Sequence, residues 1–228
     1  YNGALADLAG AAGGIDKAGA GQLVLGGVST HTGTTRVLAG TLTATGSGSA
    51  LGSGAVQVSG GATLEIDNVA LSTGGLTLNG RGVSGAGALR GSGTASHTGT
   101  VTLATASAIG AATLTDTLSL NNPVTGLGLT KVGSGTVNLS GSNRYVGGTT
   151  IEAGTLRLLG GATLPSLGAV NLTGSGILDL NNTNQSIGDL AGTVGTRIDL
   201  GSGDLTVTQA AAGSFAGRVD GSGNLVVA

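Results

Sequence analysis

Glu65 and Asp67 stand two residues apart, so in a strand both carboxylates lie on one face. Such a pair could bind Ca²⁺ or act as general acid and base on a sugar. At the matching position 114 residues later only one acid remains, Asp179, with Asn181 beside it. The pair is therefore read as a solvated outward face. Asp199, Asp204 and Asp220 lie near glycines, but Gly201-Ser202-Gly203-Asp204 places its acid one position early for a Ca²⁺-binding nonapeptide, and no tandem copy follows. They are read as solvated corner acids. His31 and His97 each precede Thr-Gly, and without cysteines they give no metal-ligand spacing; no nucleophile motif supports a triad. Lys17 and Lys131 occupy equivalent positions, either as a ligand ridge or, the reading adopted, as corner lysines that shield a strand edge. Thr-x-Thr pairs at 41/43, 113/115 and 206/208 do not recur often enough to order water. Asn138, Asn171 and Asn184 open N-x-[ST] triplets of the kind expected by chance in so Ser/Thr-rich a chain. No catalytic, cofactor-binding or metal residue is assigned, and the chain is not expected to be an enzyme.

The elements that carry these residues are short strands. Leucines flank Arg157 in Thr155–Leu158 and Asp179 in Leu178–Leu180, and similar pairs stand at 23/25, 42/44, 64/66, 101/103, 118/120, 137/139 and 198/200. This period-2 alternation is a strand signal, and most steps between pairs fall near 20 residues, about the length of one solenoid coil. A coil cannot bury its apolar edge alone, so stacking is what gives it a core. Glycine and asparagine steps, among them Gly60-Gly61, Gly147-Gly148, Gly160-Gly161, Asn121-Asn122 and Asn181-Asn182, suit coil corners. The stretch 70–100 is less regular; Leu76, Leu78 and Ala88 are its candidate core residues.

Composition agrees. The 228 residues include 48 glycines, one phenylalanine, two tyrosines and no cysteine, methionine or tryptophan. Few large side chains means a thin, layered core of Leu, Val, Ile and Ala. Glycine is not at every third position, which excludes collagen, and 39% hydrophobic residues with a net charge of −2 are too apolar for disorder. Near-neutral charge and 1% aromatic residues exclude a nucleic-acid binder and argue against the stacking platforms of a polysaccharide-cleaving enzyme. No apolar run is long enough to span a membrane as a helix.

Residues 15–44 align without a gap on 129–158, and eleven of the thirty positions are identical, Lys17 on Lys131 among them, which chance does not explain. The match continues from 55–68 onto 169–182. The chain is thus read as one solenoid segment, 1–228, with an internal repeat of 1–114 and 115–228.

The run Lys131-Val132-Gly133-Ser134-Gly135-Thr136, continued through Ser140-Gly141-Ser142-Asn143-Arg144-Tyr145-Val146-Gly147-Gly148-Thr149-Thr150 to Ala153-Gly154-Thr155-Leu156, resembles the passenger-associated transport repeat, also called the autotransporter-associated β-strand repeat. The copy at Lys17 has Ser29 for the asparagine and His31 for the tyrosine. The resemblance implies an all-β, right-handed parallel β-helix (β-solenoid) of roughly eleven coils of about 20 residues. It also implies a passenger exposed on the bacterial cell surface or secreted, extracellular after export across the outer membrane. No outer-membrane barrel follows within the chain, so self-transport is not expected of it.

Tyr1 follows no signal peptide, which reads as processing or cutting from a longer chain. Leu225–Ala228 ends on a strand, with no cap on the last coil or the first. The expected partners are therefore other coils end to end, in a longer chain or in a head-to-tail homopolymer. The leading function is a structural shaft, a passenger stalk or filament subunit. The alternative is an adhesin binding host or cell-surface glycan or protein through one face. No nucleic acid, membrane insertion or cofactor is expected.

Overall fold

A computed structural model describes residues 1–8 and 11–228. It is a parallel β-solenoid of about eleven turns, about 20 residues each, in which all pairs of strands run parallel and, among the described residues, there is no α-helix. The turns contribute short strands to as many as three faces. Among the described residues the first face holds seven strands, from Ile15–Lys17 to Arg144–Tyr145; the second holds nine, from Gln22–Leu25 to Leu190–Gly192; the third holds eight, from Ala70–Leu71 to Arg218–Asp220. A three-stranded sheet, Gln185–Ile187, Leu205–Val207 and Leu225–Val227, takes the same place in the chain order as the first face and resumes it beyond a gap of one coil.

The period-2 pattern accounts for the core. Leu23, Leu42, Leu64, Leu89, Ile109, Lys131, Ile151 and Leu172 are successive register partners on the second face. Leu118, Val137, Leu156, Leu178, Ile198 and Val219 form a matching column on the third. Strands stack at about 4.8 Å, so each leucine packs on the ones above and below, and burying it is worth about 2 kcal/mol. One continuous core results, with Tyr145 its largest fully buried side chain.

The stretch 70–100 keeps the register at the cost of a longer coil. Leu64 pairs with Leu89, a step of 25 residues, and a short 3₁₀ turn at Val83–Gly85 takes up the extra length. Leu76, Leu78 and Ala88 are buried, as the sequence suggests. At the corners, Asn181 and Asn182 take the left-handed conformation, while Asn121 and Asn122 do not. Gly160 and Gly161 do so inside the long strand Thr155–Thr163, where the ladder jumps a register as the chain rounds the corner.

The two repeat copies do not sit above one another. Ile15–Lys17 lies on the first face and Leu129–Val132 on the second. Five coils carry Leu23 to Lys131, a span of 108 residues. The 114-residue offset exceeds that by one face, so the second copy is rotated one face around the axis.

Candidate functional site

Both copies build the same internal clamp. Lys131 is fully buried in the column between Ile109 and Ile151, and its Nζ donates to the carbonyls of Val132 (2.9 Å), Gly133 (2.7 Å) and Ala153 (2.9 Å). Lys17 donates to Ala18, Gly19 and Ala39 in the same way, at 3.3, 2.7 and 2.8 Å. The reading of these lysines as exposed shields of a strand edge is corrected: the ammonium ties its own corner to the Ala-Gly-Thr-Leu corner one coil on. Burial pushes the Lys131 ammonium down to about 8, and the three carbonyls are what allow the charge to stay inside.

The other motif positions are also locks. Asn143 Oδ1 accepts from the Val124 amide at 2.8 Å and Nδ2 donates to the Thr163 carbonyl at 3.0 Å. Ser29, which replaces it in the first copy, accepts from the Leu5 amide at 3.3 Å. The Tyr145 hydroxyl bonds Thr149 at 2.8 Å, and His31 Nε2 bonds Thr35, likewise four residues on, at 3.3 Å. His97 differs in its partner: its Nε2 meets Thr73 of the preceding coil at 3.0 Å, and burial pushes its pKa down to about 4.

Glu65 is not solvated either. It is 9% exposed, because Arg90 of the next coil grips Oε1 (2.8 Å) and Thr43 of the preceding coil donates to Oε2 (3.0 Å). Asp67 accepts from Thr45. Asp179, Asp199 and Asp220 stack as register partners on strands of the third face, paired with Arg157, Arg197 and Arg218. Asp199 and Asp220 are therefore strand residues, not corner acids. Burial raises the Asp199 carboxyl above the usual range, and the like charges of Asp179 and Asp220 add to this against the pull of Arg197. Asp204 sits at a turn and accepts from the Asn224 backbone and side chain. Among the described residues no three His, Cys, Asp or Glu side chains gather as a metal ion needs. Asn138 is buried in the folded chain, with its Nδ2 donating to Ser119.

A concavity of about 600 Å³ lies where the first face is interrupted. It runs between Ser142–Val146 on one side and Asn184–Ser186 on the other, with Thr163–Gly168 as its floor. Pro165 explains the break. Ser142 pairs with Thr163, so the ladder next needs an N–H at position 165 to donate to Asn143, and proline has none. The Pro165 carbonyl instead closes a turn onto the Gly168 amide at 2.9 Å. Gln185 bridges the missing ladder from behind: Oε1 accepts from the Leu164 amide and Nε2 donates to the Ala162 carbonyl. Arg144 is the groove's one charged lining residue and makes no ion pair among the described residues. The sequence reading missed this groove; the signal available was Pro165 inside an otherwise strand-like run.

With the clamp geometry established, its source is plain in comparison with known proteins. The passenger-associated-transport-repeat family model matches residues 15–44 and 129–158. The chain carries two passenger-associated transport repeats. The Lys, Asn and Tyr positions of that repeat are the clamp residues of the second copy. A curated relative, the adhesin BmaC autotransporter of Brucella suis biovar 1 (strain 1330), is 33% identical over 216 residues, 90% of this chain and 6% of the adhesin. The uncharacterized lipoprotein YdeK of Escherichia coli (strain K12) is 35% identical over 92 residues, 40% of this chain and 7% of the lipoprotein. The chain therefore spans only a small fraction of either relative's length. No solved structure matches. The repeats and the solenoid support a structural or adhesive role of the kind a surface passenger plays, on a surface-exposed or secreted protein.

Proposed function

We propose that residues 1–228 form one rigid shaft segment in a passenger of a bacterial surface protein, non-catalytic, continuing coil on coil with more solenoid of a longer chain. The observation that carries this reading is the clamp. The Lys and Asn positions of the repeat tie one coil to the next, the Tyr position bonds within its own coil, and their polar atoms face inward. A motif built to act on a ligand would present those atoms outward. The relation to an adhesin autotransporter over 90% of the chain supports the same reading.

The test is to label the parent protein on intact cells with an antibody against this segment, and to image the released protein by negative-stain electron microscopy. The expected result is surface label and rods longer than one segment, joined within one polypeptide. Cytoplasmic label would overturn the surface role. Fibres built from separate chains of about 21 kDa would replace the stalk with a head-to-tail filament.

A further inference from the structure

We propose that the groove at the interruption of the first face binds a carboxylated sugar unit of an acidic polysaccharide; the inference goes beyond the shaft reading and does not depend on it. The ladder itself is closed there. Asn143 donates to the Thr163 carbonyl and Gly188 to the Gly168 carbonyl, so the chain's own segment 163–168 occupies the break. What the groove offers a ligand is therefore side chains, not strand edges. The charged groups single out one of them. Six of the seven arginines pair with an acid, and both lysines are held by carbonyls. The five acids outside those pairs, Asp7, Asp67, Asp116, Asp189 and Asp204, accept from hydroxyls or backbone amides. Among the described residues Arg144 alone has no such partner; it is exposed, and it lines the groove.

Chemistry at the rim narrows the occupant. A lone guanidinium fits a single negative charge, and its planar fork matches a carboxylate in two parallel hydrogen bonds. A phosphate monoester would call for a second cation, and the groove has none. Around Arg144 stand Ser142, Ser166 and Ser186, all exposed, whose hydroxyls make no hydrogen bond among the described residues. Ser142 and Ser186 flank the break two coils apart, about 9–10 Å along the axis, with Ser166 between them. Each hydroxyl both donates and accepts, which suits the hydroxyls of a sugar ring. Val146 and Leu167, 78% and 84% exposed, give the C–H face of the ring an apolar wall. The volume of about 600 Å³ is that of a small-ligand cleft. An extended acidic peptide fits less well, because its main chain finds no open ladder to join.

The test is nuclear magnetic resonance of the 228-residue chain, ¹⁵N-labelled and titrated with tetramannuronate to about 10 mM, enough to saturate a site of millimolar affinity. The expected result is a saturable shift of the Ser142, Ser166 and Ser186 amides and of the Arg144 Nε resonance, with the rest of the spectrum unmoved. The methyl ester of the same tetrasaccharide, which has lost its charge and kept its rings, should bind roughly 3–10-fold more weakly, the effect of one ion pair near the surface. Arg144→Ala should weaken the acid by the same factor and leave the ester unchanged; the residue is exposed, and an otherwise unaltered spectrum shows the variant folded. No shift at 10 mM, shifts scattered over the rod, or equal binding of acid and ester would each overturn the proposal. Acetate moving the groove as strongly as the saccharide would reduce it to a simple anion site and overturn the sugar. A blocked Val-Asp-Val peptide saturating the groove more tightly than the saccharide would assign it to protein and overturn the proposal as well.

Discussion

Lys131 shows how much a single buried charge can hold. Three carbonyls converge on its Nζ, and Lys131→Met leaves all three without that donor in a largely buried corner. Hydrogen bonds to a charged group are worth about 1.5–3 kcal/mol each, and some of that is offset by the ease of burying methionine. A net loss of about 2–4 kcal/mol is expected, read as a lower urea midpoint; an unchanged midpoint would mean the clamp is decorative. His97 gives a pH test with the sign fixed by burial. Its folded pKa of about 4 lies below the ordinary 6.5, so the unfolded chain binds more protons between those values. Its contribution is present above pH 6.5 and drains away as pH falls toward 4. His97→Gln keeps a group near Thr73 but does not titrate. The urea midpoint of the parent should therefore fall more steeply than that of the variant between pH 6.5 and 4.5, and parallel curves would refute the assignment.

Corners decide what each strand can do. Gly154 adopts φ +64° in the corner clamped by Lys131, and a Cβ there would run into the Gly135 carbonyl one coil back. Gly154→Ala should therefore cost more than the ~1 kcal/mol of the left-handed backbone alone, checked by thermal unfolding. Pro165 is the converse case, a corner that ends a ladder. Pro165→Ala restores the donor that the Asn143 carbonyl lacks. The new amide at position 165 should be protected in hydrogen exchange, and exchange at the rate of an open loop would show that something other than the proline breaks the face. Glu65 belongs at this scale too. Its neighbours on the strand mark it as outward, but Arg90 and Thr43 arrive from adjacent coils and cover it.

The strands of each coil pair only with those of adjacent coils, with a few side chains such as Arg81 to Glu152 reaching further, so stability is close to a sum of coil and interface contributions. Leu156→Ala, in the middle of the third-face column, should cost about 2–5 kcal/mol for the cavity it leaves. In native-state hydrogen exchange the loss should centre on residues 130–180 and fade toward both ends. A uniform loss over all 228 residues would instead mean that the rod unfolds as one unit.

Period-2 leucines, a 20-residue spacing and glycine-rich corners were enough to specify stacked parallel coils, because that architecture alone lets so thin an apolar edge be buried. The ungapped match of Lys17 with Lys131 likewise marked the repeat. Three things waited for the folded chain. Which way Lys131 and Glu65 face depends on groups 22 to 25 residues away, a whole coil distant, which alternation along one strand cannot report. The rotation of the second repeat copy by one face depends on the lengths of all the intervening coils, including the 25-residue step from Leu64 to Leu89. And the groove exists because Pro165 falls at the one register position where the ladder needed an N–H, a coincidence of three coils that no local pattern contains.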